Sequence, residues 1–150
     1  MRVLCVCLGN ICRSPIAEAV LGSRARAAGL ALELDSAGTG GWHLGSPPHP
    51  LGQAAAAARG YDSSAQRARA VTPEDFSRFD LMLAMDHANL GTLARMRPAG
   101  ARAELRLLDP AGRDVPDPYG SDRAAYEDVL DRIEAAADAL VAELSGGARG

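Results

Sequence analysis

Apolar residues fall along this chain in two periods. Arg2-Val3-Leu4-Cys5-Val6 is a short, β-branched run without strict alternation, as expected for a strand buried on both faces. After Pro15 the period changes. Ile16, Ala19, Val20, Ser23 and Ala27 fall at helical spacing, and Gly29 supplies a stop. The same reading predicts a strand near 30–36, a helix near 48–59, a strand near 79–84, a helix near 87–97 and a strand near 104–108. The last helix has the clearest pattern, with Tyr126, Val129, Leu130, Ile133, Ala137, Leu140, Val141 and Leu144 on one face. Residues 145–150 are expected to fray. Strands alternating with helices predict an α/β class, a parallel sheet with helices on both faces. Ligands of such sheets sit beyond the carboxyl ends of the strands.

Composition narrows the picture. With 150 residues and 47% apolar content, the chain can bury a core within one domain, and neither a repeat nor a linker divides it. A net charge of −3 gives no nucleic-acid footprint, and all sixteen basic residues are arginine. No run approaches the roughly 18 apolar residues of a membrane span, and no signal peptide is evident, so a cytoplasmic protein without a membrane partner is expected. The three cysteines crowd into residues 5–12, which is not a disulfide framework. His43, His49 and His87 lie far from them, so neither a metal nor a cofactor is expected.

The candidate chemistry lies between the first strand and the first helix, in Cys7-Leu8-Gly9-Asn10-Ile11-Cys12-Arg13-Ser14-Pro15. Ser14 before Pro15 reads as a helix N-cap with proline at the first helical position. The loop then aims backbone N–H groups and the positive end of a helix dipole at one place, which favours an anion. Gly9 allows close backbone approach, and Asn10 tolerates a left-handed conformation. Cys7, at the strand's end, faces a field that favours thiolate over thiol. Arg13 offers a planar fork for two phosphoryl oxygens. The Ser14 hydroxyl can donate to the Cys7 sulfur. Such a loop can pass a phosphoryl group through cysteine. Breaking an aryl phosphate ester also needs a proton for the leaving oxygen. The Pro- and Gly-rich loop from Leu108 to Gly120 offers Asp109, Asp114 and Asp117, which the residues alone leave as near-equal candidates.

The segments Val6–Pro15, Ser36-Ala37-Gly38-Thr39, Trp42-His43, Phe79–Asp86 and Asp117-Pro118-Tyr119 resemble, in order, those of the low-molecular-weight protein tyrosine phosphatases. The resemblance implies a single-domain flavodoxin-like fold, a three-layer sandwich with a four-stranded parallel sheet, and no metal. It implies hydrolysis of phosphotyrosine proteins and aryl phosphates, with inorganic phosphate as product. It selects Asp117 as general acid, and then as base for the hydrolysis of phosphocysteine. It places Leu8, Gly9, Asn10, Ile11, Cys12 and Ser14 around the phosphate, and Tyr119 and Trp42 on opposite sides of the rim. Ser36 and Asp86 become supports of the loop. Among bacterial relatives the partner is often a tyrosine kinase tied to polysaccharide export. Cys12 is a candidate for a protective disulfide with oxidised Cys7, as proposed in relatives, against a plain packing role.

Three departures stand out. Gly120 occupies a position where many relatives carry a second aromatic. His49 stands where aspartate is common, and Pro50-Leu51 follows in place of an arginine. His43 and His87 suggest no partner, and His87 is expected to face solvent. Thioredoxin-linked arsenate reductases share this loop but need later cysteines, and none follows Cys12. Protein-arginine phosphatases typically carry threonine after the asparagine, where Ile11 offers an apolar surface suited to a phenyl ring. A silent phosphate-binding module would not need all of Cys7, Arg13 and Asp117.

Overall fold

The computed structural model describes residues 1–149. Its elements are β1 (Arg2–Cys7), α1 (Arg13–Ala27), β2 (Glu33–Gly38), α2 (Pro50–Ala58), α3 (Asp75–Arg78), β3 (Leu81–Ala84), α4 (His87–Met96), β4 (Glu104–Leu107) and α5 (Arg123–Arg149). The four strands form one parallel sheet in the order β2-β1-β3-β4. The order reverses between β1 and β3, and that is where a crevice opens at the strands' carboxyl ends.

Side-chain alternation along the strands divides the core. Val3, Cys5 and Cys7 of β1, with Leu81 and Leu83 of β3, face a cluster built on α1, α2 and α5. Leu4, Val6, Met82 and Ala84 face the other way, onto Phe76, Phe79 and Leu93 from α3 to α4. Both faces of β1 and β3 are therefore dry, which accounts for their continuous apolar runs. An arginine–carboxylate strap holds α5 across the outer face. Glu134 accepts from Arg59 at 2.6 Å and from the Tyr61 hydroxyl at 2.6 Å, with Arg24 at 3.3 Å. Arg59 also reaches Glu127 and Asp131, each at 2.8 Å.

Several boundaries differ from the sequence expectation. The second strand begins at Glu33, not near 30. Its ladder starts where Arg2 pairs with Glu33, and residues 30–32 are spent turning from Gly29, which has φ +67°. α1 begins at Arg13 with Cys12 at the cap, so Ser14 is not the N-cap and Pro15 is the third helical residue. Proline fits there because the first N–H groups of a helix lack intrahelical partners. The single turn α3 carries too little periodicity to be read from sequence. α5 runs on to Arg149 through most of the 145–150 tail, and Gly150 lies outside the described residues. Among the described residues no helix is long and apolar enough to cross a membrane.

Candidate active site

β1 ends at Cys7 and α1 starts at Arg13, so residues 8–12 form a loop over the helix's N-terminus. Asn10 holds its shape. It adopts φ +57°, the one non-glycine residue with positive φ among those described. Its Nδ2 donates to Ser14 Oγ at 2.8 Å and to Ser36 Oγ at 2.9 Å. Its Oδ1 accepts from the Arg69 backbone N–H at 3.0 Å. A left-handed residue other than glycine costs energy, and these three bonds offset it. The Cys7 sulfur receives the Asn10 N–H at 3.3 Å and lies 3.1 Å from the Ser14 hydroxyl. Ser14 thus serves the sulfur instead of capping the helix. The Gly38 Cα lies close under the loop: a Cβ there would come within 2.8 Å of the Leu8 carbonyl oxygen.

Arg13 is only 2% exposed, and one edge of its guanidinium is fully engaged. Its Nη1 donates to Asp86 Oδ2 at 2.6 Å and to the Val115 carbonyl at 2.9 Å. Asp86 is itself fixed as N-cap of α4, accepting from the Asn89 N–H at 2.7 Å. Nη2 lies 3.8 Å from Asp117 Oδ2, and Nε has no protein partner. The Nε–Nη2 edge is the two-donor face that suits a phosphoryl group. Sequence reasoning missed Val115, since a backbone carbonyl leaves no signature.

The structure separates the three aspartates. Asp109 accepts from the Ala111 N–H and from Arg113 Nε, both at 2.8 Å. Asp114 binds the His87 N–H at 3.0 Å and lies 2.6 Å from His87 Nδ1, and these His87 contacts hold its carboxyl below the usual range. His87 is exposed as expected but does have a partner. Of the three, only Asp117 lines the crevice, with Oδ1 taking the Tyr119 N–H at 3.1 Å and Oδ2 toward Arg13.

The crevice holds about 360 Å³. Cys7, Cys12 and Arg13 lie at its floor, Leu8, Gly9 and Ile11 along a wall, and Trp42, His43, Asp117 and Tyr119 at the mouth. Trp42 is 70% and Tyr119 56% exposed. The sequence left both His43 and His49 without a role, and the structure gives each one. The Tyr119 ring lies 5.7 Å from His43 and meets His49 edge-on at 6.0 Å. His49 also stacks on Tyr126 at 5.3 Å, caps α2 by accepting the Leu51 N–H on Nδ1, and donates its own N–H to the Ile11 carbonyl. Tyr126 Oη lies 3.3 Å from Cys12 Sγ. Burial pushes the Cys12 thiol up to about 11, against the opposing pull of Tyr126, so it is not a thiolate at neutral pH. All three cysteines are buried and free. Among the described residues no group of three or more His, Cys, Asp or Glu could hold a metal ion.

A sequence profile described as "Low molecular weight phosphotyrosine protein phosphatase" matches residues 2–148. A low molecular weight protein-tyrosine-phosphatase of Streptomyces coelicolor is 46% identical, over 94% of this chain and 92% of that one. A crystal structure of a protein tyrosine phosphatase from Entamoeba histolytica, with Hepes in its active site, superposes with a TM-score of 0.91 at 33% identity, covering 98% of each chain. Wzb of Vibrio vulnificus, solved in complex with benzylphosphonate, gives a TM-score of 0.87 at 27% identity over 95% of this chain and 97% of that one.

Proposed function

The chain belongs to the low molecular weight phosphotyrosine protein phosphatase family, and from that membership we propose that it hydrolyses phosphotyrosine on proteins, and aryl phosphates generally, through a cysteinyl-phosphate intermediate. The observation that carries this reading is the meeting of Cys7, the free edge of Arg13 and Asp117 in one aromatic-rimmed crevice.

The Cys7 thiolate attacks phosphorus as the bond to the aryl oxygen breaks. Arg13 holds two equatorial oxygens through Nε and Nη2, with the loop's N–H groups and the start of α1 adding positive potential. Asp117 gives its proton to the departing oxygen. Its carboxylate then takes a proton from water, which attacks phosphocysteine. The P–S bond breaks, the thiolate returns and inorganic phosphate leaves. Ser14 donates to the sulfur whenever it carries charge. Asn10 and Ser36 brace the loop, and Asp86 orients Arg13. Leu8 and Ile11 line the path of the phenyl ring, and Tyr119 and Trp42 flank it. The benzylphosphonate in the Vibrio vulnificus relative's complex supports a ring at this mouth. A cytoplasmic location and a bacterial tyrosine kinase among the substrates belong to the same proposal.

The test is steady-state hydrolysis of a phosphotyrosine peptide beside phosphoarginine, with Cys7→Ser in parallel. Turnover of phosphotyrosine that vanishes in Cys7→Ser is the expected result. Turnover of phosphoarginine alone would overturn the aryl reading of Ile11, and no turnover of either by reduced protein would leave a phosphate-binding module.

A further inference from the structure

The rim loop from Gly38 to Ser46 lies against the phosphate loop through backbone bonds: Thr39 N–H to the Cys7 carbonyl and Gly40 N–H to the Leu8 carbonyl, both at 2.9 Å. Its far end is tied by Gly45 N–H to the Ala68 carbonyl at 2.8 Å. Between these ties stands Trp42, whose side chain takes no part in them. What fixes the indole is a bare patch of backbone. A Cβ built on Gly40 would fall 1.7 Å from Trp42 Cζ3, 2.3 Å from Cε3 and 2.4 Å from Cη2. The benzo edge of the indole therefore occupies the space a side chain at residue 40 would fill.

We propose that Gly40 is a specificity-determining positioning residue: its open face seats the Trp42 indole, and that seat sets the ring at the crevice mouth where it meets the aryl group of the substrate. The inference rests on the aryl-phosphate reading of the crevice. Gly40 is not required by the backbone, because its φ lies outside the left-handed region. Space alone demands glycine. The neighbouring glycines differ in this respect. A Cβ on Gly38 would strike main-chain atoms of Leu8, Gly40 and Asn10, and one on Gly9 would press on His43 at 3.1 Å. A Cβ on Gly40 meets nearest the edge of a side-chain ring that is 70% exposed. Gly40→Ala thus moves the ring while leaving the phosphate loop and its thiol in place.

The experiment measures kcat and KM on a phosphotyrosine peptide, and inhibition by inorganic phosphate, for wild type, Gly40→Ala, Trp42→Ala and the double variant. Loss of one ring contact raises KM about threefold to tenfold. The expected result is that rise in Gly40→Ala with kcat moving less than twofold, unchanged inhibition by inorganic phosphate, and no further rise when Gly40→Ala is added to Trp42→Ala. Because Trp42 is the only tryptophan, a shift in emission reports its displacement directly. An unchanged KM, or an equal weakening of inorganic phosphate, would overturn the inference. Wild-type protein that fails to turn over phosphotyrosine would overturn the aryl reading and this inference together. A competent wild type with an unchanged Gly40→Ala would overturn this inference alone.

Discussion

Asn10 concentrates at one position what the phosphate loop needs. Its left-handed φ bends the chain over the Cys7 sulfur, and its amide ties three separate segments to that bend. Replacing it by alanine removes the bonds and leaves a conformation that alanine tolerates poorly, at about 1–2 kcal/mol for the backbone alone. Each lost bond adds about 1 kcal/mol. Asn10→Ala should therefore lower the unfolding free energy by about 4–5 kcal/mol. Asn10→Gly keeps the backbone and should lose about 1–2 kcal/mol less. Chemical denaturation of the two variants checks this, and equal losses would remove the conformational part of the argument. Cys7, Arg13 and Ser14 were legible because their chemistry sits within eight consecutive residues. His43 and His49 were not: they reach Tyr119 and Tyr126 only through tertiary packing, which no periodicity records.

At the scale of elements, the long loop from Leu108 to Asp122 is held at its centre by Val115. This residue is 2% exposed, its N–H donates to the Met85 carbonyl at 2.8 Å, and its carbonyl takes Arg13. One residue thus helps to fix both the Arg13 guanidinium and the loop that carries Asp117. Val115→Ala removes two buried carbons, about 1.5 kcal/mol of stability at ~0.8 kcal/mol each. If the loop's anchorage matters to catalysis, kcat on an aryl phosphate should fall about tenfold, while inorganic phosphate inhibits as before. A kcat that tracks only the small stability loss would show that the backbone bonds of residue 115 hold the loop without its buried side chain. The order and kind of the main elements could be read from apolar period. The start of β2 could not, because it depends on where β1 offers a partner. α3 escaped too, although Asp75 at its start is wholly buried and paired with Arg69 at 2.9 Å.

For the molecule as a whole, acid–base linkage ties stability to pH from two directions. Burial raises the Glu18 carboxyl from its ordinary 4.5 to about 7, against the Ser36 hydroxyl and Arg69 and with the help of Asp35. Between those values the folded protein holds a proton that the unfolded chain has released. This group's contribution therefore shrinks as pH climbs from about 4.5 to about 7. Glu18→Gln should flatten that decline, which denaturant titrations at pH 5, 6, 7 and 8 would reveal. An identical slope in the variant would acquit Glu18. In the opposite direction, burial alone would raise Asp75 and Glu134, but their hydrogen bonds and arginine partners outweigh it and hold both low. Their contribution is present at neutral pH and is lost as pH falls through their depressed values in strong acid.

The strap over α5 has a consequence for chemical modification. Every side-chain cation in it is a guanidinium, and the sequence contains no lysine. Guanidinium stays charged in alkali that would discharge an ammonium. Acylating reagents and acetyltransferases that silence lysine find no side-chain amine here. Regulation by lysine acylation is therefore closed to these 150 residues. Succinylation that weakens lysine-bridged proteins should leave the α5 contacts, and the Arg13 guanidinium, at full charge.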